Sequence, residues 1–117
     1  MRKTLLIAAG IALIGADARA HARLILATPK VGSTVAAPRQ LRLQYSESIV
    51  AAASSVKVAG PKGAAVATRP LALDAKNKRV VVVPFASPPA PGAYKVSWHM
   101  KTEDGHETDG DFGFTVK

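Results

Sequence analysis

Residues 92–117 read GAYKVSWHMKTEDGHETDGDFGFTVK, and the patterning of this stretch decides the fold. In YKVSWHM, Tyr94, Val96, Trp98 and Met100 alternate with Lys95, Ser97 and His99. That period of two marks a strand with one face buried. In DFGFTVK the same rule places Phe112, Phe114 and Val116 together. Between them lies TEDGHETDG, dense in charge and turn formers. The pattern predicts two strands joined through that segment, with Trp98 in the core and His99 outside it as an exposed bystander.

Upstream the alternation recurs. LRLQYS sets Leu41, Leu43 and Tyr45 against Arg42, Gln44 and Ser46, and SSVKVAG is a shorter case with Val56 and Val58. RVVVVPF is apolar throughout and reads as a more buried strand ended at Pro84. The breakers TPKVGS, APRQ, AGPKG, DAKNK and SPPAPG separate these runs. Ala51 to Ala53 can hold one helical turn, but no segment sustains a period of 3.6. Counting strands at Arg23–Ala27 and Ala64–Thr68, about seven are expected, in one all-β sandwich or barrel.

The first twenty residues, MRKTLLIAAGIALIGADARA, are laid out as a secretory signal peptide. Arg2 and Lys3 precede an apolar run from Thr4 to Ala16, and Ala18-Arg19-Ala20 supplies the small-x-small cleavage pattern. At 13 residues the run falls short of the roughly 20 that span a bilayer as a helix. The expectation is a leader over 1–20 and a single exported domain over 21–117, soluble in the periplasm. The chain has no cysteine, which excludes disulfides, a lipidated cysteine, thiolate nucleophiles and Cys-ligated metal.

The chain carries 16 Lys+Arg and 8 Asp+Glu. Setting aside Arg2, Lys3 and Arg19 of the one and Asp17 of the other leaves 13 against 7 after residue 20. The positives are scattered singly apart from Lys76, Lys78 and Arg79, without interleaved aromatics, and read as a solvated face rather than a nucleic-acid surface. The acids are the reverse: Glu103, Asp104, Glu107, Asp109 and Asp111 crowd around His106. Such a local reversal of sign concentrates cations.

Asp104 and His106 stand at i and i+2, so an extended segment would project both from one face. Alone, this is an ordinary Asp-Gly turn with a histidine nearby. Cleavage after Ala20 changes the reading, because His21 would then carry a free α-amine beside its imidazole, two nitrogens able to chelate one ion. With His106 and Asp104 the set becomes three nitrogens and one oxygen, which suits tetragonal Cu(II). Zinc accepts similar ligands.

Three stretches together resemble the CopC family of periplasmic copper-binding proteins: HARLILATPKVGSTV, LRLQYSESI and GAYKVSWHMKTEDGHETDGDFGFTV. The resemblance implies a small Greek-key β-barrel or immunoglobulin-like sandwich. It implies one Cu(II) per chain, held by the amine and imidazole of His21, by Asp104 and by His106. It also implies that Glu47, in YSES, stands close to the copper without ligating it. Some family members add a methionine-rich Cu(I) site. Beyond Met1 this chain has only Met100, in phase with Trp98, so no such site is expected.

The function implied is copper carriage or buffering in homeostasis or resistance, by a monomer, with hand-over to an inner-membrane transporter of the CopD type. Two alternatives come from other classes. One is a monooxygenase-like enzyme built on an N-terminal histidine brace; the anionic Asp104 would fill its open position. The other is a secreted β-sandwich that binds protein and no metal. The expectation is a binding protein and not an enzyme.

Overall fold

The computed structural model describes residues 22–117, which form two facing β-sheets. The first contains β1 (Leu24–Thr28), β3 (Gln40–Tyr45), β7 (Asn77–Pro84) and β6 (Ala72–Asp74), in the order β1-β3-β7-β6. The second contains β2 (Thr34–Val35), β9 (Glu107–Val116), β8 (Gly92–Lys101), β4 (Ser55–Ala59) and β5 (Ala65–Val66), in the order β2-β9-β8-β4-β5. All pairings are antiparallel except β2 with β9. The chain crosses repeatedly from one sheet to the other. The all-β sandwich is therefore the fold, as the alternation predicts.

The inward faces are the ones read from the sequence. Leu41, Leu43 and Tyr45 of β3 are wholly buried, as are Val96 and Met100 of β8, and Phe112, Phe114 and Val116 of β9 are nearly so. Val81 and Val83 complete the core from β7, while Val82, on the outer face of that strand, is only partly covered. Tyr94 stacks on Phe114 at 5.4 Å across the β8–β9 ladder. Trp98 meets Tyr45 of the opposite sheet edge-on, with ring centroids 5.0 Å apart. Such aromatic pairs add to the area they bury.

Nine strands are present among the described residues, against about seven expected. The additional two are short: β2 pairs two residues with the end of β9, and β6 folds back on β7. Ala51–Ala53 forms the helical turn anticipated, of 3-10 type, and Pro61–Gly63 forms a second short 3-10 element. β9 starts at Glu107, so the charged run after His106 is strand and not loop.

One end of the sandwich gathers several segments. The Arg23 amide donates to Ser46 Oγ and the Ser46 amide to the Arg23 carbonyl, both at 2.9 Å, which ties the start of the described chain to the end of β3. The Ile49 amide donates to the Lys78 carbonyl of β7, and the Glu103 amide to the Ser48 carbonyl, each at 3.0 Å. Residues 46–49 thus bridge the two sheets beside the β8–β9 turn.

Candidate metal centre

The β8–β9 turn, residues 102–106, is built on Thr102. This threonine follows Met100 in the inward phase of β8 and is 1% exposed, the one buried residue classed as polar or charged among the described residues. Its carbonyl accepts from the Gly105 amide at 2.9 Å, closing a turn that Gly105 completes at φ +93, a conformation glycine adopts without strain. Its amide donates to the His106 carbonyl at 2.9 Å, and its Oγ1 accepts from the His106 amide at 3.2 Å. The same hydroxyl donates to Asp104 Oδ1.

Asp104 and His106 are brought together, but not in the way i, i+2 alternation implies. The backbone between them is a turn and not a strand, and it curls the two side chains toward each other, with His106 Nδ1 3.2 Å from Asp104 Oδ1. The hydroxyl of Thr102, and next the imidazole of His106, hold the Asp104 carboxyl below its ordinary pKa. It is an ionised acceptor at neutral pH. Ligand atoms at roughly 2.0 Å from one ion lie about 3 Å apart when cis, so the pair fits a shared metal.

Sequence reasoning missed Thr102. The signal was there: continuing the inward phase of β8 past Met100 lands on it, two residues before Asp104.

Glu47 lies in the 46–49 bridge, between Ser46, which holds Arg23, and Ser48, which holds Glu103. It is half-exposed, and its carboxylate makes no hydrogen bond or ion pair among the described residues. No three His, Asp or Glu side chains among the described residues converge as a metal cluster. His21 lies outside the described residues. The described chain begins at Ala22, buried to 2% exposure, and enters the fold at the end occupied by Glu47 and the turn.

His99 departs from the expectation of an exposed bystander. It projects outward as alternation dictates, but the register places Asp109 directly opposite and Glu107 opposite Lys101. Its Nδ1 lies 2.6 Å from Asp109 Oδ1 and its Nε2 2.8 Å from Glu107 Oε1. Hydrogen bonds to Asp109, then to Glu107, raise its pKa above the ordinary histidine value. Both ring nitrogens are engaged, on the outer face of the sheet.

Trp98 and Tyr45 lie under this end of the sandwich. Neither Trp98 Nε1 nor Tyr45 OH has a hydrogen-bond partner among the described residues, and burial pushes the Tyr45 phenol well above its usual pKa. A cleft of about 370 Å³ lined by Pro38, Arg39, Phe85 and Pro88 lies at the opposite end, where β3 begins and β7 finishes. It has no part in the Asp104–His106 pair.

The sequence matches the CopC domain family over residues 24–117. It is 35% identical to copper resistance protein C of Pseudomonas syringae pv. tomato over 117 residues, covering 96% of this chain and 92% of that protein. It is 36% identical to protein YobA of Escherichia coli K12 over 99 residues, covering 84% and 80%. Solved structures with the same fold include PcoC, a methionine-rich copper resistance protein from Escherichia coli, at TM-score 0.75 and 31% identity, covering 83% of this chain and 99% of that one. CopC from Methylosinus trichosporium OB3b superposes at TM-score 0.76 and 28% identity, covering 83% and 94%. The chain belongs to the CopC family. Unlike the methionine-rich PcoC, it buries its one methionine beyond Met1 in the core, at Met100.

Proposed function

We propose that this protein is a periplasmic copper carrier that binds one Cu(II) at the end of the sandwich where the chain enters. The observation that carries the reading is the convergence of Asp104 and His106 in a turn fixed by buried Thr102, beside the Arg23–Ser46 contact. In this reading residues 1–20 are a leader whose removal leaves His21 first. Two residues of chain reach at most about 7 Å, which keeps His21 close to Arg23 and therefore to this end of the fold. Its amine and imidazole would join Asp104 and His106 on the ion, a nitrogen-rich set with one carboxylate that favours Cu(II). Glu47 stands by to accept a hydrogen bond from the amine or from a metal-bound water.

The reading is of a binder that holds and releases cargo, not an enzyme. Asp104, kept ionised by Thr102, places an anion on the metal and stabilises the oxidised state. With its single core methionine the chain offers no thioether cluster for Cu(I). The protein acts as a monomer and passes copper to an inner-membrane acceptor of the CopD type. Family membership among copper resistance proteins supports a role in copper homeostasis.

Calorimetric titration of the form beginning at His21 tests the proposal. One Cu(II) per chain is expected, with affinity falling at least about tenfold in His106→Ala and in Asp104→Asn, the scale of one lost charge-assisted ligand. Retention of full affinity by both variants would remove the site from this turn.

A further inference from the structure

The three clustered basic residues of the sequence do not lie on an indifferent face. Lys76, Lys78 and Arg79 are exposed at the tip of the β6–β7 hairpin. The fold sets that tip against the proposed metal end. The Lys78 carbonyl accepts from the Ile49 amide, and Lys78 Nζ lies 3.8 Å from Glu103 Oε2, one residue before Asp104. The tip is also stiff. Asp74 Oδ2 accepts from the Lys76 amide and Asn77 Oδ1 from the Arg79 amide, each at 3.0 Å, so two side chains brace the turn.

Among the described residues no acidic side chain pairs with Lys76 or Arg79, whereas the bridging bases Arg42, Lys78 and Lys95 do have partners. Exposed Arg23 lies on the same end through its bonds to Ser46.

We propose that the Lys76–Lys78–Arg79 hairpin tip is the docking point for an acidic protein segment of the copper donor or acceptor, which it steers onto the Asp104–His106 turn. The purpose of the docking rests on the copper reading above; the docking itself does not. Positive charge flanking a site raises encounter rates with an anionic partner and fixes its orientation. The charge pattern selects a protein over a lipid surface. Glu103 stands beside the tip, paired with Lys78, with Asp104 next to it in the chain and Glu47 two residues from Ile49, whose amide bonds the Lys78 carbonyl. A uniformly anionic membrane plane would meet them as well as the bases. A shaped partner presents its acids to the hairpin and its ligands to the turn.

The test is a titration of the metal-free, isotope-labelled chain from His21 with an acetylated, amidated decaglutamate peptide, followed by amide NMR shifts. The expected shifts are confined to residues 75–80 and 102–106, and the apparent affinity falls about tenfold as salt rises and the Debye length shrinks below about 10 Å. The triple change K76E/K78E/R79E abolishes binding. The neutral set K76Q/K78Q/R79Q weakens it, with spectral dispersion checking that each remains folded. The control R39E/K62E/K117E reverses three exposed bases at the other end and leaves binding within about twofold.

Shifts spread over both ends, or equal loss in the control, would overturn the proposal. So would tighter binding of phosphatidylcholine–phosphatidylglycerol vesicles through the same residues, which assigns the tip to lipid. Copper calorimetry on the same samples keeps the two readings apart. A decaglutamate footprint at the tip without copper binding sustains the docking and removes the carrier role, and copper binding without a footprint does the reverse.

Discussion

Gly110 in β9 sits opposite Trp98 of β8, and the indole covers it. A Cβ at position 110 would lie 2.3 Å from Trp98 Cζ2, 2.6 Å from Cε2 and 3.0 Å from Cη2. Favourable carbon contacts begin near about 3.5 Å, so in Gly110→Ala the ring must retreat. It has little room, being 8% exposed and packed edge-on against Tyr45. The Gly110 backbone is not among the positive-φ positions, so alanine brings no backbone strain there. By itself it would stabilise by about 0.5–1 kcal/mol through the unfolded chain. Overpacking a filled core costs about 1–3 kcal/mol, and an approach of 2.3 Å puts this site in the upper part of that range, at about 2–3 kcal/mol, leaving a net loss of about 1–2.5 kcal/mol. In a domain of this size each kcal/mol moves the melting temperature about 4–8 °C. The variant should therefore melt roughly 4–20 °C lower, with a lower urea midpoint, an unchanged slope and a shifted Trp98 emission. A melting temperature equal to or above that of the parent would refute the packing argument.

Thr102→Val removes the hydroxyl that holds Asp104 while keeping the inward position filled. Titration by NMR should find the Asp104 pKa risen toward the ordinary carboxylate value and Cu(II) affinity reduced, and Thr102→Ser should restore both. His99 should titrate above the ordinary histidine value, and Asp109→Asn should lower it more than Glu107→Gln. Because folding raises this pKa, the stabilisation from the clamp is complete below about pH 6.5 and is lost as pH rises through the folded value. The stability gap between the parent and His99→Gln, read by urea unfolding, should accordingly narrow from pH 6 to pH 9. Gly92→Ala should destabilise by about 1–3 kcal/mol, because φ is +142 and the new Cβ falls 2.4 Å from Pro61 Cγ.

Much of the core was legible because long strands with one buried face announce themselves. Tyr94 through Met100 and Phe112 through Val116 alternate with hardly an exception, and the structure buries the residues the pattern selects. β2 and β6 were not legible, since two or three residues cannot display a period; their pairing depends on partners far away in the chain. At the turn, the residue types of Asp104 and His106 pointed to a cation, but the mode of approach did not follow from spacing. Gly105 at positive φ replaces extended geometry with a turn. The clamp on His99 was hidden for a different reason. It exists only in the β8–β9 register, which sets His99 opposite Asp109, and register is a property of the hairpin as a whole. The basic run at residues 76–79 was visible as composition, while its place beside the Asp104–His106 turn came from the sandwich topology.

The proposed copper site requires a free terminal amine to complete what Asp104 and His106 begin. The most direct measurement compares the chain starting at His21 with the same chain carrying one extra alanine before it. Cu(II) titration would be read by electron paramagnetic resonance and by quenching of Trp98. The expected result is a tight, one-to-one tetragonal site with three nitrogens and one oxygen in the first, and much weaker binding with an altered spectrum in the second. Equal affinity and identical spectra in the two would contradict it.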